Sequence, residues 1–380
     1  MPWNTEQPLA DERGDFVEAV LRRDCTVSQA CRHFGISRKT AYKWLDRATQ
    51  DRPQPLRDRS RRPLHQPHRT PKAVEQTVLS VHDQYAWGAR KIHSFLCQRG
   101  QTVPGPGAIH QILRRHGRVT TTGGGVPPTR FERSVPNHLW QMDFKGPLAG
   151  APSRRYLLTI EDDHSRFLLA LRLLSDQTMA SVWQTLWPLL SATGLPLAIL
   201  TDNGFAPRGP AEHGLSWLEA RLIRLGIKSL HGRPYHPQTQ GKVERAHKTM
   251  ERELLARLDW SPPEAKVVEQ LEHWRGEVYN AIRPHEALGN ATPASRWYAS
   301  ERPRPEQLPA VVYPPTMATR KVMQRGEISW RGYELLVGAG LQGESVGVEG
   351  SSDGDAVLLY YGSHLLRRVP TVAFTKGRIV

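Results

Sequence analysis

Cysteine is scarce in this 380-residue chain: there are three, Cys25, Cys31 and Cys97, and no two form a Cys-x-x-Cys pair. That excludes a disulfide framework and argues against a zinc finger, and it points to a reducing compartment. Long apolar runs are missing, so no segment reads as a membrane span. Met1–Arg13 is polar and carries no signal-peptide pattern, and the expectation is a cytoplasmic protein. Acidic residues are the other shortage. Against 37 Asp/Glu stand 52 Lys/Arg, for a net charge of +15. Residues 1–135 hold 23 of the basic residues and only 12 acidic ones. Charge gathered in this way predicts a polyanionic partner, most commonly nucleic acid, over a merely solvated basic surface. The length implies more than one domain, and a hydrophobic share of 38% supplies several modest cores.

What is present centres on Arg233–Lys248. A Pro-broken loop passes Gly241 and enters a helical pattern in which Val243, Ala246, His247, Met250, Leu254 and Leu258 recur at the 3.6-residue period. Glu244 lies one step off that stripe, in the first turn. Alone it reads as a solvated acid favoured by the helix dipole. Two other segments change the reading. His138–Phe144 is a short apolar strand with Asp143 near its end, and Pro196–Gly204 is an apolar run that stops at Asp202. An acid closing a buried strand points into the crevice where α/β sheets hold ligands. Three converging carboxylates suit divalent, oxygen-preferring cations such as Mg²⁺; without a cation they would repel one another and take up protons.

These segments resemble the bacterial insertion-sequence DDE transposases, with a retroviral-integrase-type catalytic core. The matching residues are Trp140-Gln-Met-Asp143, Asp162-Asp-His-Ser-Arg166, Thr201-Asp-Asn-Gly204 and His236-Pro-Gln-Thr-Gln-Gly-Lys-Val-Glu-Arg245. Tyr279–Leu288 and Thr292–Trp297 look like the family's closing motif, where Arg283 and His285 are expected to hydrogen-bond the end of the core. Each tetrapeptide is weak alone, but the ordered set is specific and covers most of the chain. It departs from the family twice. Forty-one residues separate Asp202 from Glu244, with the excess placed in the Gly/Pro-rich loop Ala206–Gly214. Glu251 stands where the family often has a base, and Lys248 or Arg252 is the expected substitute.

In chain order, the first domain is 1–51. Asp15–Arg23 reads as a short helix, and Thr26–Leu45 has helix-turn-helix spacing. Thr26 and Ser37 are N-caps, Gly35 takes the left-handed turn position, and Ala30, Phe34, Ile36, Ala41 and Trp44 fill the core. Arg38, Lys39, Tyr42 and Lys43 are left exposed for base edges and phosphates in a major groove. Residues 52–72, with seven Lys/Arg and five prolines from Arg52 to Lys72, form an extended basic linker in which Arg61 and Arg62 are candidate phosphate contacts. Residues 73–118 carry three helical patterns, which the resemblance makes a second helix-turn-helix. A Gly/Pro-rich linker occupies 119–136.

Residues 137–300 alternate strands and helices in an order resembling a ribonuclease H-like α/β core. Asp162 and Asp163 are expected to stabilise a turn with Ser165 and Arg166, with Asp163 the one most open to a metal role. A Pro-rich linker at 301–316 precedes 317–380, where short alternating runs suggest a small β-barrel. The resulting expectation is a multidomain DNA transposase in which Asp143, Asp202 and Glu244 hold two Mg²⁺ (or Mn²⁺) ions for phosphodiester cleavage and strand transfer. Lys242, Arg245 and Lys248 would hold the DNA end. Its partners would be the element's terminal inverted repeats and target double-stranded DNA, met as a dimer or higher homo-oligomer in the bacterial cytoplasm, nucleoid-associated through DNA. A transposase-derived regulator without catalysis, and a metal-dependent nuclease of the same fold, are the alternatives.

Overall fold

The computed structural model describes residues 9–50, 56–58, 69–119, 133–202, 214–231 and 241–375. The chain divides into two compact units, Met1–Arg69 and Thr70–Val380. Most of the expected basic linker, Arg61 and Arg62 included, lies outside the described residues, as do 120–132, 203–213 and 232–240.

The first unit is helical: α1 (Leu9–Leu21), α2 (Val27–His33) and α3 (Arg38–Ala48). The start of α1 precedes the expected Asp15, with Asp11 and Glu12 in its first turn where the dipole favours acids. Thr26 makes a full capping box with Gln29, its hydroxyl accepting from Gln29 N at 3.3 Å while Gln29 Oε1 accepts from Thr26 N at 2.9 Å. Ser37 caps α3 through Thr40 N at 3.1 Å, and Gly35 sits at φ +65° between the helices. Phe16, Ala30, Ile36, Ala41 and Trp44 form the core, and Phe34 is partly buried against it.

In the second unit, α4 (Lys72–Tyr85), α5 (Ala89–Gln98) and α6 (Pro106–Arg115) pack around Val78, Ile92, Phe95, Ile109 and Leu113. Trp87, fully buried, stacks on Tyr85 between α4 and α5.

The region expected to hold the core is a five-stranded sheet in the order β3-β2-β1-β4-β5, built from β1 (Trp140–Lys145), β2 (Tyr156–Asp162), β3 (Leu168–Leu174), β4 (Ala198–Thr201) and β5 (Lys228–His231). The first three strands are antiparallel, and β1, β4 and β5 run parallel. Helices cover both faces of this sheet. On one face, Trp140, Met142, Leu158 and Ile160 meet α7 (Met179–Thr193) and α8 (Trp217–Arg224). On the other, Leu157, Leu168 and Leu171 meet α9 (Gly241–Glu253), α10 (Glu264–His273) and a π-helical segment, Trp274–Ile282. Because strand side chains alternate, Asp143 lies on the face opposite Met142, toward α9.

The helix expected to run to Leu258 stops at Glu253, where a 3₁₀ turn, Leu255–Arg257, begins after Leu254 leaves helical backbone at φ −125°. Directly after α10 the winding changes to π at Trp274. There Asn280 binds the β3 backbone at both Leu168 N and Leu168 O, at 2.9 and 3.0 Å, and the wider turn carries that polar side chain into the sheet edge.

Residues 301–316 are bound along the core. Arg302 donates to the Pro196 carbonyl at 2.7 Å, and Arg224 donates to that of Pro309 at 2.6 Å. Beyond them lie β6 (Ala318–Lys321), β7 (Glu327–Trp330), β8 (Tyr333–Leu336), β9 (Ser345–Gly350), β10 (Ala356–Tyr361) and β11 (His364–Pro370). They form an open four-stranded sheet, β11-β10-β9-β6, and a β7–β8 hairpin. No closed barrel exists among the described residues. Closure requires the edge strands to meet, whereas β6 and β11 stand at opposite edges and β7 pairs only with β8.

Candidate active site

Parallel pairing of β1 with β4 aligns Trp140 with Ile199 and Gln141 with Leu200. Continued two residues, that register brings Asp143 level with Asp202, which directly follows β4. Glu244 enters from the first turn of α9, where its side chain is exposed. The charges of Asp202 and Glu244 both act on Asp143. Burial pushes its carboxyl up to about 6; the Phe144 N–H, donating to Oδ1 at 2.8 Å, opposes the rise, and the negative charges of Asp202 and Glu244 add to it. The donor set is all carboxylate oxygen, which suits a hard divalent cation. Among the described residues, no three acidic, His or Cys side chains stand close enough to grip one as they are.

Two histidines flank this centre. His247, one turn beyond Glu244, is buried with Nε2 3.2 Å from Thr159 Oγ1 and Nδ1 3.7 Å from Asp143 Oδ2. Burial, reinforced by the Lys145 charge and opposed by Glu251, lowers its pKa to about 4 and keeps the ring neutral at pH 7. His231 at the end of β5 contacts Thr201 Oγ1 at 3.1 Å and Glu219 Oε1 at 2.7 Å. The Glu219 hydrogen bond raises its pKa, so the pair braces the strand end that delivers Asp202. In the sequence His247 belongs to an apolar stripe, and nothing there singles out His231. A histidine at an otherwise apolar position, three residues from a candidate ligand, was the available signal.

The expected DNA-end contacts divide. Arg245 and Lys248 project from α9 and are exposed. Lys242 is instead engaged within the protein, with Nζ 2.6 Å from Asp163 Oδ1 and 3.2 Å from the Asp163 carbonyl. Asp163 also accepts from Gln141 Nε2 at 2.6 Å and from Arg133 N at 2.8 Å, so its carboxylate is committed to structure. Asp162 accepts from Ser165 N and Oγ and from Asn137 N, fixing the turn that the sequence assigned to it. Glu251 pairs with Lys145 at 3.2 Å and Arg252 with Glu253 at 3.1 Å, while Lys248 remains outward. Arg283 binds Glu253 and His285 as expected for the closing motif.

In the first unit, Arg38, Lys39, Tyr42 and Lys43 are all exposed on α3. The Lys43 ammonium lies 4.9 Å from the centre of the Trp44 ring, which also carries Arg13 at 4.0 Å and Arg47 at 4.7 Å.

Four family models match parts of the chain. Two integrase core domain models match residues 133–237 and 225–293. A helix-turn-helix domain model matches 12–63, and a homeodomain-like domain model matches 40–113. The putative transposase for insertion sequence element IS5376 of Geobacillus stearothermophilus is 24% identical over 382 residues, covering 96% of this chain and 90% of that protein. The Gag-Pro-Pol polyprotein of Simian retrovirus SRV-2 is 33% identical over 141 residues, or 37% of this chain. The chain spans 8% of the length of that polyprotein. Among solved structures, the HTLV-2 integrase catalytic core domain in complex with magnesium aligns with 43% of this chain and 97% of its own, at 20% identity and a TM-score of 0.33.

Proposed function

We propose that this chain, an insertion-sequence DDE transposase with a retroviral-integrase-type core, binds the ends of a mobile element, cleaves them and joins them to target DNA. Asp143, Asp202 and Glu244 are the metal-holding catalytic residues. What supports the reading is the β1–β4 register, which brings Asp143 level with Asp202, together with a carboxyl on Asp143 lifted to about 6 by burial and by the charges of Asp202 and Glu244. Two Mg²⁺ or Mn²⁺ ions held there would supply the Lewis acidity for in-line displacement at phosphorus, activating the attacking oxygen and stabilising the leaving one.

The chain's own residues provide charge and geometry, and no covalent enzyme intermediate is required. Half-buried Asp143 has Oδ1 held by the Phe144 N–H and Oδ2 beside the His247 ring. Arg245 and Lys248, exposed beside Glu244, are placed to hold phosphates of the DNA end. Arg38, Lys39, Tyr42 and Lys43 read the terminal inverted repeat, and Arg61 and Arg62 follow the backbone. Joining two ends calls for two sites, so the working species is a dimer or higher homo-oligomer on double-stranded DNA.

The test is strand transfer with labelled element-end DNA and Mg²⁺ or Mn²⁺, wild type beside Asp202→Asn. Joined products from the wild type alone support the assignment. Tight DNA binding without cleavage in both proteins would leave a DNA-binding regulator, and cleavage without joining a nuclease.

A further inference from the structure

We propose that His247 is a positioning residue for this reaction, holding the Asp143 carboxylate in place against the helix that carries Glu244. The inference rests on the catalytic reading of those two acids. On α9, Arg245 and Lys248 are exposed while His247 turns inward to the seam with the sheet. Its ring meets Thr159 Oγ1 at 3.2 Å through Nε2 and stands 3.7 Å from Asp143 Oδ2 through Nδ1. Thr159 and Asp143 are direct cross-strand partners of β2 and β1. One imidazole therefore spans both strands at a single register position while its backbone belongs to the Glu244 helix.

Asp143 Oδ1 is already held by the Phe144 N–H at 2.8 Å. The His247 ring stands beside the other oxygen, so a short approach would restrain the carboxylate from both ends. The tautomer follows from the neighbours. An ionised Oδ2 only accepts, and a lone pair on Nδ1 would face another lone pair. The proton accordingly sits on Nδ1, and Nε2 accepts from the Thr159 hydroxyl. At 3.7 Å the Nδ1 contact exceeds hydrogen-bond range, and a movement of roughly half an ångström would close it. Groups that orient a ligating carboxylate in this way typically change metal affinity or activity by about 10- to 100-fold when removed.

The experiment uses the full chain with His247→Leu, His247→Asn and His247→Gln. Each variant is checked by thermal melting, Mn²⁺ binding without DNA is followed by electron paramagnetic resonance of the free ion, and strand transfer is measured across Mn²⁺ concentrations. His247→Leu is expected to weaken Mn²⁺ binding by about 10- to 100-fold, with strand transfer partly restored by excess Mn²⁺. His247→Asn, whose amide occupies the Nδ1 place, recovers most of the loss. His247→Gln, which reaches only toward Thr159, does not. Wild-type Mn²⁺ affinity in a folded His247→Leu protein would overturn the proposal, as would Asn and Gln variants equal to one another. Should the Leu variant not fold, the Asn–Gln comparison carries the test. A wild type that neither binds Mn²⁺ nor joins strands would instead overturn the catalytic reading itself, and this inference with it.

Discussion

Arg283 grips Glu253 at two points, Nε to Oε2 at 2.8 Å and Nη2 to Oε1 at 3.1 Å, with side chains only 4% and 1% exposed. The same carboxylate accepts from the Trp87 indole at 3.2 Å and lies 3.8 Å from the Lys91 ammonium. Glu253 closes the helix that Glu244 opens, so the second helical unit is fastened to the far end of the catalytic helix. Removing one partner of a buried ion pair strands the other charges, at a cost of about 3–5 kcal/mol. Glu253→Ala should lower unfolding stability by that order in urea titration, whereas exposed Glu264→Ala should change it little.

The pH dependence of that pair has a definite sign. Burial pushes the Glu253 carboxyl up, but Arg283, then Lys91 and Arg252, outweigh it and leave the folded value below the usual 4.5. Its stabilisation is therefore intact above pH 4.5 and is lost as the pH falls through the depressed value. The stability difference between wild type and Glu253→Gln should shrink below pH 4.5. A difference constant down to pH 3 would remove the carboxylate from the account.

Asp143 carries the opposite sign. Burial first, and then the charges of Asp202 and Glu244, raise its carboxyl from 3.8 to about 6, against the Phe144 hydrogen bond. The group's contribution to metal-free stability is fully present below pH 3.8 and is lost as the pH rises through about 6. In EDTA, Asp143→Asn should thus melt higher than wild type at pH 8, with the gap closing by pH 4. A gap that ignores pH would mean that neither burial nor the neighbouring charges raise the Asp143 carboxyl.

What the sequence disclosed, and what it concealed, can be traced to particular residues. Thr26, Gly35 and Ser37 announce the helix-turn-helix because capping and left-handed turns are local requirements, and the structure satisfies each within three residues. The placement of Asp143 and Asp202 on neighbouring strands was legible because each acid interrupts or closes an apolar run. The π segment at Trp274–Ile282 was hidden because its cause, Asn280 binding Leu168, lies 112 residues away. β6 escaped notice since Ala318-Thr-Arg-Lys321 has no apolar alternation, its pairing being supplied by β9. The commitment of Lys242 to Asp163 could not be read from a helix face that looked uniformly basic.

Packing of the C-terminal sheets against α8 gives a separate test. A Cβ added to Gly340 would lie 2.2 Å from the Leu215 carbonyl oxygen and 2.6 Å from Trp217 N, both backbone atoms that cannot step aside cheaply. Leu215 and Ala220 belong to the same apolar cluster as Leu335, Val348 and Leu359. Overpacking there costs about 1–3 kcal/mol. Gly340→Ala should lower stability by that order and speed protease cleavage within 301–316, while Gly343→Ala, with nothing within 4 Å but a φ of +80°, incurs only local backbone strain. Equal cleavage rates in the two variants would show that the sheets do not depend on this contact.

DNA reading by α3 can be separated from simple charge attraction. Arg38, Lys39 and Lys43 are exposed basic side chains, whereas Tyr42, also exposed, offers a hydroxyl and a ring face. Removing one phosphate-binding cation should reduce the slope of log K against log salt by roughly 0.9. Arg38→Ala or Lys39→Ala should therefore flatten the salt dependence of binding to element-end duplex, measured by fluorescence anisotropy, whatever the sequence. Tyr42→Ala should leave that slope alone and instead narrow the preference for the element end over unrelated DNA, since a base-edge contact contributes about 1–3 kcal/mol of discrimination. If Tyr42→Ala weakens both duplexes equally, α3 holds the backbone only, and sequence must be read elsewhere in the chain.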